Sequence, residues 1–388
     1  MKANYPIILL LILGIVSSCQ EPENPAEPII ELEKFERFGD PHFNFRSSIV
    51  NNIKVIDNQL FFSHVSNPGF INPDMDVNQL CCARPNQMEF RQSLTKQYIG
   101  AVDRNLFGFY IFRNQGNGGV GLLDLNRLIK VLGGRAKVSS LPNRLKNFDI
   151  NNGKLLAAVD LIGETFERAI YLFDIENNTN FVGVVPDTTV IKITPPAVEN
   201  STIEGLNIIQ QIDAFQDGWL VSTINQNFFV DPDGNTTPFE LKDANGNFAP
   251  YYGHVFTSDR RLLVKTFRNL FISPSGSIDD LELRVTFNSL IEFFIHEDRL
   301  AIWLSGSSIL SEVENFDSLD PELFKIRLLN SEGINFSQLF ALQKFQGKVF
   351  AATNQGLFTK NLESFWDSAP ENDSALSAEQ LLNGIVFH

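Results

Sequence analysis

The stretch Gln346-Gly-Lys-Val-Phe-Ala-Ala-Thr-Asn-Gln-Gly-Leu-Phe358 contains two tight turns, each feeding an apolar run. Gly next to Gln or Asn tolerates the positive φ of a two-residue hairpin, so the segment reads as strand, turn, strand, turn, strand. The same turn-then-strand unit recurs at Asn58-Gln59-Leu60, Arg104-Asn105-Leu106, Asn152-Gly153-Lys154-Leu155, Asp217-Gly218-Trp219-Leu220, Asp259-Arg260-Arg261-Leu262 and Glu297-Asp298-Arg299-Leu300. Counted from Leu60, Leu106, Leu155, Leu220, Leu262, Leu300 and Val349, the interval stays between 38 and 49 residues, except for one of 65. That is the period of a four-stranded propeller blade. Seven anchors give the expectation of an all-β, seven-bladed β-propeller over residues 49–366.

Composition agrees. Of 388 residues, 43% are hydrophobic and 35 are Phe, against 3 Trp and 6 Tyr, which suits apolar sheets stacked face to face. Only Asp124–Ile129 and Leu376–Leu382 carry a helical pattern. The wide interval is assigned to an insertion, Glu176–Gly205, and a second polar insertion is expected at Ser66–Ser93. Residues 367–388 are read as a tail, with Asn383–His388 able to add a strand that helps close the ring.

The first 18 residues have the form of an export signal: Lys2, then an apolar run from Pro6 to Val16 that is short for a membrane span. The sequence Val16-Ser17-Ser18-Cys19 resembles the bacterial lipobox. That resemblance implies a diacylglyceryl thioether on Cys19, which becomes the first mature residue. The polar, Pro-containing segment that follows is read as a disordered tether over residues 19–48. Its acidic start, Gln20-Glu21-Pro22-Glu23, resembles the export signal of surface lipoproteins in Bacteroidetes-type bacteria, implying an outer-membrane, cell-surface location. The pattern from Ala351 to Phe358, running into Lys360-Asn361, resembles the propeller repeats of bacterial sensor ectodomains. This second resemblance implies the fold and says little about a ligand.

A net charge of -15 repels phosphate backbones and excludes nucleic acid as a natural partner. The bilayer is expected as a partner only through Cys19, and a glycan, a peptide or an outer-membrane protein as the ligand.

Candidate sites are few. With Cys19 lipidated, the neighbours Cys81 and Cys82 are the remaining thiols in an oxidising location. A disulfide between them would be a strained ring of the kind found at functional loops, and is the foremost ligand-contact candidate. Asp231-Pro-Asp-Gly-Asn235 and Asp243-Ala-Asn-Gly-Asn247 resemble parts of calcium loops but lack the closing Glu, so no metal is expected. His42, His64, His254, His296 and His388 form no zinc-binding pair, although His254 and His296 precede equivalent turns. No Gly-x-Ser-x-Gly is present. Ser93-Leu-Thr-Lys96 fits Ser-x-x-Lys without the companion boxes of that enzyme class. No catalytic residue and no cofactor is assigned. Asp187-Thr188-Thr189, Asp317-Ser318-Leu319, Asp367-Ser368-Ala369 and Asp373-Ser374-Ala375 resemble a Bacteroidetes O-glycosylation sequon, which marks Thr188, Ser318, Ser368 and Ser374. Three functions fit: a surface binding module, an accessory subunit of a transport or secretion complex, and a propeller-fold glycoside hydrolase or lyase.

Overall fold

A computed structural model describes residues 32–39, 49–56, 58–64, 69–79, 87–92, 98–104, 108–113, 120–129, 134–139, 146–175, 183–184, 189–197, 209–287, 289–316, 323–335, 337–369 and 386–387. They form an all-β propeller. Four-stranded antiparallel sheets span residues 50–79, 209–239 and 291–328, and a fourth, 339–361, takes its outer strand from Glu36–Arg37. The 251–286 sheet gains a fifth strand from Val386–Phe387, and the 135–193 sheet also has five. The remaining sheet, 87–124, carries Gly183–Val184 as a parallel edge strand.

The first strands of these sheets are the ones that meet around the axis. Val50–Ile56 touches Gln87–Gln92 and Leu339–Phe345; Phe148–Asn151 touches Gln87–Gln92 and Ile209–Phe215; Ile209–Phe215 touches Tyr251–Phe256; and Ile291–His296 touches Leu339–Phe345. A shared core of Leu263, Ile272, Val285, Ile291, Ile302 and Val313 joins the 251–286 and 291–328 sheets and completes the circuit. Because each sheet is covered on both faces, second strands are deeply buried: Gly218–Thr223 and Leu262–Thr266 are buried along their whole length.

Seven sheets make the ring, but the expectation of seven like blades is met by only six of them among the described residues, because the first hairpin of the 87–124 sheet lies outside those residues. In six sheets the first hairpin carries a non-glycine residue with positive φ at matching places: Asn58 (59°), Asn152 (44°), Gln216 (50°), Arg260 (69°), Glu297 (53°) and Gln346 (48°). Such a backbone is uncommon outside glycine, and here it matches the twist of the flanking strands. Neighbouring hairpins also bond to each other, Gln346 Nε2 to Asn58 Oδ1 at 2.9 Å and Ser258 Oγ to Asp298 Oδ1 at 2.6 Å. The anchor at Leu106 marks a different place: it lies between Tyr98–Arg104 and Gly108–Arg113, the second and third strands of the 87–124 sheet. That sheet was found through the wrong hairpin.

Both expected insertions contain strands. Ser66–Ser93 contains Gly69–Ile71 and Val77–Gln79, the outer half of one sheet, and Gln87–Gln92, the first strand of the next. Glu176–Gly205 contains Val190–Ile193, the outer strand of its own sheet. The helical turn at Leu125–Leu128 is present, its start capped by Asp124 Oδ1, which accepts from Asn126 N at 3.0 Å. The pattern at Leu376–Leu382 lies outside the described residues.

The closing strand comes from a segment read as tether. Phe35 is 3% exposed and joins the core between the 291–328 and 339–361 sheets, 6.2 Å from Phe365. Phe38 packs into the next core, between the 339–361 and 50–79 sheets, 5.5 Å from Phe350. Between them Glu36 and Arg37 pair with Thr359 and Phe358. Gly333 has φ +96°, and a Cβ there would come within 2.0 Å of Phe35 O, so only glycine lets the strand dock. The C-terminal strand adds instead to the outer edge of the 251–286 sheet and leaves the seam to Phe35–Phe38.

Beside the seam, Glu312 (5% exposed) is held by Arg299 Nε at 2.6 Å and by Arg327 Nη2, while Arg299 lies 4.1 Å above the ring of Trp366. Burial opposes ionisation of this carboxyl, but the two arginines outweigh it and hold it below its ordinary 4.5. The stability it contributes is therefore complete above about pH 4.5 and is lost as pH falls through the folded-state value.

Two outcomes are expected. Phe35→Ala should cost roughly 3–5 kcal/mol in urea unfolding, whereas Ile49→Ala, at an exposed site, should stay within about 0.5. Glu312→Gln should flatten the fall of the urea midpoint with acidification between roughly pH 5 and 3.

Candidate functional site

The densest polar array in the described residues lies on three consecutive axial strands, Phe148–Asn151, Ile209–Phe215 and Tyr251–Phe256. Side chains alternate along a strand, so Phe148 and Ile150 enter one inter-sheet core while Asp149 and Asn151 face the 209–239 sheet. On the next strand Ile212 is core, and Gln211 and Asp213 carry the array.

Asp213 is its centre. Oδ1 accepts from Lys146 Nζ at 2.8 Å, and Oδ2 accepts from Gln211 Nε2 at 2.8 Å and from the Tyr251 hydroxyl at 2.9 Å. Lys146 Nζ also lies 3.7 Å from Asp149 Oδ2, an oxygen that accepts from Ala214 N at 2.8 Å. Asp149 and Tyr251 are fully buried, and Asp213 and Gln211 nearly so. Burying such charge is tolerable only with this degree of pairing.

The Tyr251 hydroxyl is also 2.6 Å from His254 Nδ1. A hydroxyl has one proton, and the Asp213 carboxylate can only accept. The proton therefore goes to Asp213, and His254 must carry hydrogen on Nδ1 and donate back to the tyrosine oxygen. His254 sits edge-on to Phe215 at 5.2 Å and to Phe256 at 5.9 Å. Phe256 stacks on Phe215 at 5.8 Å with 18° between the rings, and is 39% exposed. A rigid polar network thus stands behind an accessible aromatic surface.

Of the histidines singled out in the sequence, His254 joins this array and His296 does not. His296 Nε2 is 3.4 Å from Lys344 Nζ, and burial together with that ammonium pushes its pKa down. His64 ends the strand Gln59–His64. Cys81 and Cys82 lie outside the described residues, in the connection between Val77–Gln79 and Gln87–Gln92, as do Cys19, Ser93, Lys96, His42, His388, Thr188, Ser318 and Ser374. Ser368 is exposed, and its Oγ accepts from Arg327 Nη1 at 2.6 Å.

The calcium-like segments are self-satisfied turns. Asp231 Oδ1 accepts from Asp233 N at 2.9 Å and Asn235 N at 2.8 Å, and Asp243 Oδ1 accepts from Asn245 N and Asn247 N, both at 2.9 Å. The backbone amide of Asn247 in particular pulls the Asp243 carboxyl below its usual range. Among the described residues no group of three or more acidic, His or Cys side chains could hold a metal ion.

No family model matches the sequence, and no curated protein matches it. Solved structures do. The extracellular domain assigned to a hybrid two-component system of B. thetaiotaomicron aligns with a TM-score of 0.52 and 11% identity, over 85% of this chain and 41% of its own. A second such domain from that organism gives 0.50 and 10%, over 84% and 39%. PorZ, a surface component of the type-IX secretion system of Porphyromonas gingivalis, gives 0.47 and 10%, over 83% and 38%. At these identities the likeness to the two B. thetaiotaomicron domains establishes the fold alone, and this chain spans about two-fifths of the length of the three matched chains.

Tyr251→Phe removes the hydroxyl shared by Asp213 and His254. Urea unfolding should show a loss of about 1–3 kcal/mol, and the His254 ring-nitrogen resonances should shift as Nδ1–H loses its acceptor.

Proposed function

We propose that this chain is a lipid-anchored, surface-displayed propeller that binds a glycan without transforming it. The observation that carries the reading is the exposed Phe256 ring, stacked on Phe215 and backed by the His254–Tyr251–Asp213 chain. An accessible aromatic face receives the C–H surface of a sugar, and fixed polar groups beside it supply direction. The sensor-ectodomain fold likeness supports an extracytoplasmic binding role, and the lipobox at Cys19 supports attachment to the outer membrane. The vicinal pair Cys81-Cys82, if oxidised, would add a second contact on the connection between two blades.

The hydrolase or lyase reading requires carboxylates converging near the axis, and Asp149 and Asp213 do converge. Both, however, are committed to internal donors. Asp149 accepts from Ile150 N and Ala214 N, each at 2.8 Å, and Asp213 accepts from three side chains. Carboxylates held this way brace three blades and leave little capacity for acid–base work.

Two measurements test the proposal. Labelled fatty acid should enter the wild type and fail to enter Cys19→Ala, and surface protease should digest the anchored protein on intact cells. On a glycan array, Phe256→Ala should abolish the binding seen for the wild type while leaving the unfolding curve in place. A wild type that binds no glycan, or a Phe256→Ala variant that binds normally, contradicts it.

A further inference from the structure

The 135–193 sheet is built in two storeys, and among the described residues one of them is a strand short. Lys154–Ile162 and Phe166–Asp174 form a nine-residue hairpin, longer than any other in the described residues. Its lower half has four strands: Phe148–Asn151 pairs with residues 154–157, and Val190–Ile193 pairs with residues 170–173. The upper half has three among the described residues. Arg135–Val138 covers residues 159–162 on the inner side, and nothing among the described residues covers Phe166–Ala169 on the outer side.

The outer strand stops short for a covalent reason. After Ile193 comes Thr194-Pro195-Pro196, and proline has no N–H to continue a ladder. Thr194 turns away, its carbonyl accepting from Thr236 Oγ1 of the next sheet at 3.0 Å.

The unfilled edge has a defined polarity. Asp174 N donates to Thr189 O, so residue 174 points its backbone groups outward, and strand alternation assigns the same direction to 172, 170, 168 and 166. Ile170 and Leu172 are covered by Ile193 and Ile191. Phe166 and Arg168 therefore present their N–H and C=O groups to a slot that no described strand fills. A small cleft of about 70 Å³ lies there, between Glu167–Ile170 on one side and Lys192, Ile193 and Pro195 on the other. Its charges are internally paired, Lys192 with Glu167 at 2.7 Å and Arg168 with Asp160 at 2.6 Å. At its end stand the exposed Ile162 (40%) and Phe166 (55%).

We infer that this slot receives an extended segment of a partner polypeptide, which pairs with Phe166–Ala169 as the missing fourth strand and lays an apolar side chain on Ile162 and Phe166. Backbone donors and acceptors spaced as in a strand select a strand as occupant, and paired charges select a neutral one. This site is separate from the Phe256 surface and stands or falls independently of glycan binding.

The test combines a displayed random-peptide library, selected on the folded protein, with residue-level amide exchange. In the free protein the amides of Phe166 and Arg168 should exchange at least about tenfold faster than those of Ile170 and Leu172, and a selected peptide should slow them. Phe166→Pro deletes one outward donor at an edge position that tolerates proline. It should weaken peptide binding about tenfold while leaving the unfolding midpoint unchanged. The inference is overturned if those amides are already protected in dilute protein, which would mean the chain fills its own slot. Protection that appears only as protein concentration rises would overturn it in favour of a second copy. A library that yields no binder, or peptides that bind without slowing these amides, would also overturn it.

Discussion

A ring of sheets has no natural end, and this one is held shut by two phenylalanines. Phe35 and Phe38 enter the cores on either side of the 339–361 sheet, while the two residues between them complete its ladder. Every blade buries its apolar faces against its neighbours, so an open seam would expose two cores at once and remove the reason for the others to stay curved. The cation–π contacts of Arg37 with Phe358 and of Lys360 with Phe35 line the same strand.

With the ring closed, the axial strands become fixed points from which side chains of different blades can meet. Lys146, just ahead of the strand Phe148–Asn151, shares one hydrogen-bonded array with Asp213 and Tyr251 of the next two sheets, although the three are far apart in sequence. The network resists relative movement of those blades because breaking any member strands a buried charge. A surface built on it, with Phe256 at the front, is preorganised, which suits recognition. The two-storey sheet is built differently: its long hairpin outruns the outer strand Val190–Ile193.

Much of the fold was legible because turns are local. Asn152-Gly153 and Gln346-Gly347 need positive φ, and the sequence shows which residues tolerate it. The period of the anchors then implied the propeller. Two- and three-residue strands have too few residues to display alternation, and the longer Gln87–Gln92 and Val190–Ile193 are hidden because the polar residues around them have the composition of a loop. Phe35-Glu-Arg-Phe38 sits in a polar stretch and reads as tether; its signal was a pair of large apolar residues three apart, without helical continuation. Gly69–Ile71 and Val77–Gln79 are hidden by the same shortness. The array was invisible as an assembly because convergence across blades is tertiary. A clue was present in Asp213, a charge in the middle of the apolar strand Ile209–Phe215, and His254 was noted without its partners.

The closure claim is tested most directly by native-state amide exchange at Phe35 and Phe38, whose N–H groups donate to Glu332 O and Leu357 O, both at 2.8 Å. If these residues seal the ring, both amides should exchange only through global unfolding, at rates matching the core strand Lys348–Thr353. Exchange at the rate of an unstructured peptide would show that the ring closes without them.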